Sequence, residues 1–288
     1  MSQTQEAAPK GQQLSKEDMD RQIAATIQQI ENRVVVFSGK GGVGKTTVAV
    51  NLAYALARSG KQVGLLDADI TGPNVARMVG SSDPFQWGGG KLFPHEVEGL
   101  KIVSIATMIR PGEPVIWRGP LRAKALEQFL WGVEWGHLDF LIVDLPPGTG
   151  DEVLTITQRT FPQFAVVVTT PQEVSLIDSH RAANMALRME VPHVGIVENM
   201  SVLICPSCGA EIPLFGEGGG ERQARELGVE FLGKIPIDLE VRRGGDEGRP
   251  IVLHGKDTPV AQAFFHLASR VGELLGEKAG KGSGSDPG

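Results

Sequence analysis

No stretch of this chain stays apolar for the roughly 18 to 20 residues needed to span a bilayer, and its polar, Gln-rich N-terminus has no apolar signal-peptide core. These absences predict a cytoplasmic protein with no membrane partner. Basic residues are not in excess either. Lys and Arg number 28 against 34 Asp and Glu, a net charge of −6 with a pI near 5.6, so a surface built to coat nucleic acid is not expected. Cysteine is nearly missing. The only two, Cys205 and Cys208, make no disulfide framework, and in a reducing compartment a C-x-x-C pair suggests metal or redox chemistry first. No internal repeat is present. What remains, 288 residues with 41% hydrophobic and 22% charged, is an ordinary globular composition, long enough to bury a sizeable core without staples.

What is present centres on residues 34 to 47. The β-branched run Val34-Val35-Val36-Phe37 feeds Ser38 and then Gly39-Lys40-Gly41-Gly42-Val43-Gly44-Lys45-Thr46-Thr47, which opens into an amphipathic segment ending at Arg58. The order is strand, glycine-rich turn, helix. Gly39-x-x-x-x-Gly44-Lys45-Thr46 fits the P-loop, whose backbone N–H groups converge on phosphate oxygens at a helix N-terminus. Lys45 is placed to neutralise β/γ-phosphates, and Thr46 to offer its hydroxyl to Mg²⁺. The second lysine, Lys40, resembles the variant loop of the MinD/ParA/Mrp class of dimeric ATPases, in which it reaches the partner's nucleotide. An isolated lysine there would read as a solvated loop residue.

Acids follow at strand ends. The run from Gln62 to Leu66 reads as a strand ending in Asp67-Ala68-Asp69, where ligands bind in open α/β sheets. Asp69 is a candidate to position or activate the attacking water, and Asp67 to assist at the metal; both are also compatible with capping the next turn. Leu138 to Asp144 is an apolar strand ending in an acid that can hold Mg²⁺ directly or through water. After it, Pro146-Pro147-Gly148 forms a stiff loop in which the Gly148 N–H can sense a γ-phosphate.

Along the rest of the chain, residues 1–13 and 278–288 read as disordered tails and 14–31 as a leading helix, with Ser15 to Asp18 as a capping box and Met19, Ile23, Ile27 and Ile30 at helical spacing. Residues 83–99 read as a Gly/Pro-rich hairpin or excursion, 101–106 as a strand, and 121–131 as a helix preceded by Trp117-Arg118, a pair suited to an interface or to the core. Strands at 164–169 and 193–198 flank a helix at 172–189, and 258–276 closes the chain as an amphipathic helix. Non-alternating apolar strands suit a parallel sheet covered on both faces. The expected fold is therefore α/β, a three-layer αβα P-loop NTPase with a mostly parallel sheet spanning 32–277.

The pair in Cys205-Pro206-Ser207-Cys208 lies after the strand expected to end at Asn199. Two thiolates grip one edge of a metal site, whereas a zinc centre or a [4Fe–4S] cluster usually takes four protein ligands. This chain supplies no others of the right spacing. A symmetric dimer would bring two pairs together on its axis.

These motifs, with Asp-Ala-Asp-Ile-Thr-Gly-Pro-Asn, Trp-Arg-Gly-Pro, Asp-Leu-Pro-Pro-Gly-Thr-Gly-Asp and Val-Glu-Asn-Met-Ser, together resemble the Mrp/ApbC-type P-loop ATPases, the iron–sulfur cluster carrier proteins, over about residues 33 to 275. The resemblance implies a homodimer with ATP and Mg²⁺ at each P-loop. It also implies a labile [4Fe–4S] cluster bridged by Cys205 and Cys208 of both copies and passed to apo-proteins. Asn199 would contact the adenine, with Ile235-Pro236-Ile237-Asp238 lining the same pocket. Two family features are not in this sequence: the additional N-terminal domain of many bacterial members and the N-terminal four-cysteine motif of some eukaryotic ones. Two other readings use the same loop, a MinD/ParA-like positioning ATPase acting on membrane or DNA, and a nucleotide-binding module stapled by zinc.

Overall fold

Strand β1 (Ile30–Phe37) sets the architecture, because its side chains alternate between two cores. Val34 and Val36 enter one apolar cluster and Val35 and Phe37 the other, as the period of two in a strand requires. The computed structural model describes residues 16–69, 72–81, 86–88, 91–104, 130, 132–205 and 207–276. The expected tails, the capping serine Ser15, and the stretch with Trp117 and most of the 121–131 helix lie outside the described residues.

The other strands are β2 (Val63–Asp67), β3 (Gln86–Gly88), β4 (Lys91–Phe93), β5 (His95–Val97), β6 (Leu100–Ser104), β7 (Leu138–Asp144), β8 (Phe164–Thr169), β9 (His193–Ile204), β10 (Glu211–Ile212) and β11 (Glu230–Ile237). The main sheet runs β10-β9-β8-β1-β7-β2-β6-β5, with β11 also on β9; β3 and β4 form a separate hairpin. Its β11-β9-β8-β1-β7-β2-β6 body is parallel, and only β5 and β10 join antiparallel. From β1 the chain passes over the β7 position to β2 and on to β6, returns through β7, and then continues on the other side of β1 through β8 and β9 to β11. The loop after β1 therefore sits where the winding direction changes, the place where open α/β sheets bind ligands.

One face is covered by α2 (Lys45–Arg58), α3 (Val75–Met78), α7 (Leu239–Glu247), α8 (Ile251–His254) and α9 (Pro259–Leu274). The other carries α4 (Asp151–Thr160), α5 (Glu173–Arg188) and α6 (Gly219–Leu227). The expected three-layer αβα arrangement is what the chain forms. Helix α2 differs from its expected amphipathic character: residues 48 to 56 are buried throughout, because α9 packs over its outer side. The leading helix also ends early. Helix α1 spans Lys16–Gln28, and Ile30, expected to close its apolar stripe, is instead buried in β1.

Strand β9 is the largest departure. It continues to Ile204 instead of stopping near Asn199, because β11 and then β10 supply hydrogen-bonding partners beyond that point. Those partners come from later in the chain, so local pattern does not reveal them.

Phe264 of α9 is fully buried against α2 and β11. Phe264→Ala is expected to lower stability by about 3 to 5 kcal/mol, since it deletes a whole ring from a close-packed core. Urea unfolding followed by circular dichroism measures this, and a loss under ~1 kcal/mol would place the ring outside the core.

Candidate functional site

The carboxyl ends of the parallel strands converge on a cleft of about 870 Å³. The phosphate loop forms one wall. Gly42 and Gly44 hold φ of +81° and +83°, the left-handed region that side chains disfavour, and a Cβ on Gly44 would collide with the Asn199 amide. A Cβ on Gly39 would strike the Asp178 carbonyl of α5, so glycine lets the loop's first turn lie on that helix. Gly44 caps α2, whose first turn carries no acid, leaving its N–H groups and positive dipole end facing the cleft.

Lys40, Gly41, Gly42, Gly44, Lys45, Thr46 and Thr47 all line the cleft. Val43 does not, because its side chain is buried in the core. The buried Lys45 ammonium lies 2.6 Å from Asp144 Oδ1, and the Thr46 hydroxyl donates to Asp144 Oδ2 at 2.7 Å. A cation and a hydroxyl from adjacent residues thus meet a carboxylate that lies about a hundred residues further along the sequence. Lys40 is half-buried and has no carboxylate within salt-bridge range among the described residues.

Asp67 and Asp144 are register partners on β2 and β7, and both are fully buried. Burial pushes the Asp67 carboxyl up to about 7, with the neighbouring Asp144 adding to the rise and the Ser104 hydroxyl and Lys45 opposing it. Burial also raises Asp144, against the pull of Lys45 and the Thr46 hydrogen bond. Asp67 accepts from Ser104 Oγ (2.8 Å), Val75 N (3.2 Å) and Asp69 N (3.2 Å), so it also fixes the turn leading to α3. Asp69 lines the cleft while accepting from Gly72 N at 3.1 Å. The turn-capping and cleft-facing placements coexist in this residue.

Gly148, at φ +96°, donates its N–H to the Ser38 carbonyl at 2.8 Å; for that N–H to reach a phosphate, the bond must open. Pro147 is the member of this loop that faces the cleft. Asn199 and Pro236 line the far side together with Ile235, Ile237 and Asp238, while the Asn199 amide donates to the Val43 carbonyl at 2.8 Å. Asn199 is therefore tied to the phosphate loop itself as well as placed along the cleft.

The cysteines sit beyond the cleft. β10 folds back on Leu203 and Ile204, and the tip between them is closed by Cys205 N to Ala210 O (2.9 Å) and Gly209 N to Cys205 O (2.8 Å). Both thiols are free, Cys205 half-buried and Cys208 exposed. Backbone N–H groups of Ser207 and Cys208, and then the Cys208 side chain, hold the Cys205 thiol below its ordinary range. A lowered thiol pKa favours the thiolate, the form in which cysteine acts as a metal ligand or nucleophile. Beside the turn lies apolar surface: Val174, Ile177 and Leu214 are each more than half exposed, and Gly216 and Gly219 bring this hairpin's return against Pro171 and Leu176 at the start of α5.

Four residues escaped the motif reading. Ser38 lines the cleft with a buried hydroxyl that has no hydrogen-bond partner among the described residues; its place before Gly39 is the available signal. Ser104 reaches Asp67 only through β2–β6 pairing. Glu198 is wholly buried, with one oxygen on Gly220 N at 2.7 Å. Met200 holds φ +55°, at a cost of roughly 1 to 2 kcal/mol for a residue with a Cβ. Both of these last two stand in the Val-Glu-Asn-Met-Ser motif, but nothing local marks the burial of the one or the backbone of the other.

The family model described as NUBPL iron-transfer P-loop NTPase, of the ParA group, matches residues 29–272. The iron-sulfur cluster carrier protein of Pyrococcus horikoshii is 50% identical over 281 residues, covering 93% of this chain and 95% of that protein. The iron-sulfur cluster transfer protein NUBPL of Dictyostelium discoideum is 42% identical over 248 residues, covering 85% and 77%. Among solved structures, a nucleotide-binding protein from Archaeoglobus fulgidus in complex with ADP aligns with a TM-score of 0.74 at 38% identity, over 85% of this chain and 96% of that one. The septum site-determining protein MinD of Pyrococcus horikoshii, complexed with Mg-ADP, aligns at 0.63 and 25% identity, over 87% and 99%.

The raised Asp67 gives a pH signature in metal-free protein. Its folded value of about 7 exceeds the ordinary 3.8, so its stabilising contribution is complete below about pH 4 and is lost as pH rises through about 7. Asp67→Asn keeps the shape of the protonated acid. The urea midpoint of this variant, measured in EDTA at about pH 5 and pH 8, is expected to fall less between the two than that of the parent. An equal fall in both proteins would remove Asp67 as the source.

Proposed function

Because the chain belongs to the NUBPL iron-transfer P-loop NTPase family, we propose that it is a cytoplasmic ATPase that carries a labile [4Fe–4S] cluster between two copies of itself and delivers it to apo-proteins. The carrying observation is the cysteine turn: two free thiols, one with a lowered pKa, held at the tip of a hairpin next to a phosphate-loop cleft. The names of the relatives from Pyrococcus and Dictyostelium agree with this reading, and the ADP complex of the Archaeoglobus protein agrees with a nucleotide in the cleft.

In this reading the α2 N-terminus and Lys45 take the β/γ-phosphates of ATP. Adenine lies toward Asn199 and Pro236. Thr46 and Asp144 would hold Mg²⁺, and the fit rests on hard oxygen donors that already converge, 2.7 Å apart, on one point. When bound, the ion supplies charge neutralisation to the phosphates. Lys45 would exchange Asp144 for phosphate as ligand and metal arrive. Asp69, at the cleft edge, positions or activates the attacking water.

Two cysteines furnish half of a four-thiolate site, so the cluster requires a second copy on a two-fold axis. The exposed Val174, Ile177 and Leu214 beside the hairpin provide apolar surface for such a contact. Lys40, without a carboxylate partner among the described residues, is free to serve the partner's nucleotide. Hydrolysis would then depend on closure of the same dimer that holds the cluster.

Lys40→Ala is expected to slow phosphate release by on the order of 10³, the lower end for a cation supplied in trans; unchanged turnover would discard the trans role. Anaerobic reconstitution with iron and sulfide should give broad visible absorption and about four iron per dimer. In Cys205→Ser both should be lost, and transfer to an apo-acceptor with and without ATP reads out the carrier step. Tightly held stoichiometric zinc after air-free purification would favour the stapled module instead, and strong ATP-dependent binding to lipid or DNA the positioning ATPase.

A further inference from the structure

Strand β9 touches both halves of the proposed machine. Its parallel pairing with β8 ends at Glu198. Its pairing with β11 then loses register: Asn199 faces Ile235 and the next partners are Leu203 and Ile237, so four steps along β9 match two along β11. Pro236, which lacks an N–H to donate, stands within this bulge. Met200 occupies it in the left-handed conformation.

On the near side of the bulge, the Asn199 amide holds the Val43 carbonyl, and the Met200 methyl lies 3.6 Å from where a Cβ on Gly44 would stand. On the far side, the strand delivers Cys205 five residues later, a reach of roughly 16 Å for extended chain. The excursion that carries the cysteines returns at Gly220, whose N–H is bound by Glu198 Oε2. Both roots of the excursion therefore meet at the Glu198–Asn199 pair. The Glu198 root is wholly buried within the sheet, so a displacement of the phosphate loop acting on Asn199 is resisted there and passes outward through Met200.

We propose that Met200 is a positioning residue, a strained joint through which occupancy of the phosphate loop sets the geometry of the Cys205–Cys208 turn within a single chain. This rests on the reading of the loop as a nucleotide site. It is separate from closure of a dimer, because the path from Val43 to Cys205 involves one copy only.

The test uses the full chain, reduced and metal-free, with Mg-ADP and a non-hydrolysable Mg-ATP analogue at saturation, verified by titration of a fluorescent nucleotide. The rate of Cys205 alkylation by iodoacetamide is followed by peptide mass spectrometry. Nucleotide is expected to change that rate about threefold or more in the parent protein, independently of protein concentration. In Met200→Gly, which relieves the strain and removes the side chain that ends beside the Gly44 position, the ratio of rates with and without nucleotide should fall close to one. Met200→Leu, which keeps both bulk and strain, should retain the change. Equal rates in the parent with nucleotide bound would overturn the joint while leaving the nucleotide reading intact. So would a full response in Met200→Gly, or a response that grows with protein concentration and so marks covering by a second copy. Failure of the parent to bind nucleotide would overturn both.

Discussion

The contact between Lys45 and Asp144 is the constraint on which the site depends. The pair is buried on both sides, and removing two full charges from water costs several kcal/mol per ion before their attraction repays it. Apolar residues of the same size would serve a static core at least as well. The charges are retained where a polyanion and a divalent cation have matching partners for each of them. The arrangement also uses the pairing of β1 with β7, in which Val36 stands opposite Asp144, so that the helix following β1 starts beside the end of β7. Strand order and site chemistry are one requirement.

Around that contact, negative charge is packed more tightly than burial favours. Asp67 stands beside Asp144 on the next strand, and burial raises both. The structure tolerates this by spending Ser104 and two backbone N–H groups on Asp67. Carboxylates kept at such a cost are a sign of cation chemistry more than of fold stability. The fold alone is shared with MinD, so the argument for iron–sulfur work rests on the cysteine turn and not on the sheet.

Legibility in the sequence followed the range of the interactions. Strands β7 and β8 have the ends read from their apolar runs, and the phosphate loop was visible whole, because a strand, a glycine turn and a helix start are all local events. The pairing of Lys45 with Asp144 was readable only as two motifs with compatible roles. Strand β9 was cut short at Asn199 because the residues that prolong it, on β10 and β11, lie later in the chain. The elements between Gly219 and His254 are hard to read, since α6 begins with two glycines and α7 carries Gly244 and Gly245 in its interior among charges. Met200 stands in a recognisable motif, but its left-handed backbone has no local mark: it comes from a bulge that exists only after β9 and β11 pair.

Helix α2 gives the fold one further property. It is enclosed from residue 48 to 56, between the sheet on one side and α9 on the other, and its first turn faces the cleft. A ligand seated there holds the central beam of the domain, so release and unfolding draw on the same contacts. A ligand at a hundred times its dissociation constant adds about 2.7 kcal/mol to the folded state, a large share of the roughly 5 to 15 kcal/mol that holds a typical domain together. If the proposed nucleotide is that ligand, the persistence of this chain against proteolysis follows the nucleotide supply of its surroundings, and starvation for nucleotide acts on the amount of protein as well as on its activity.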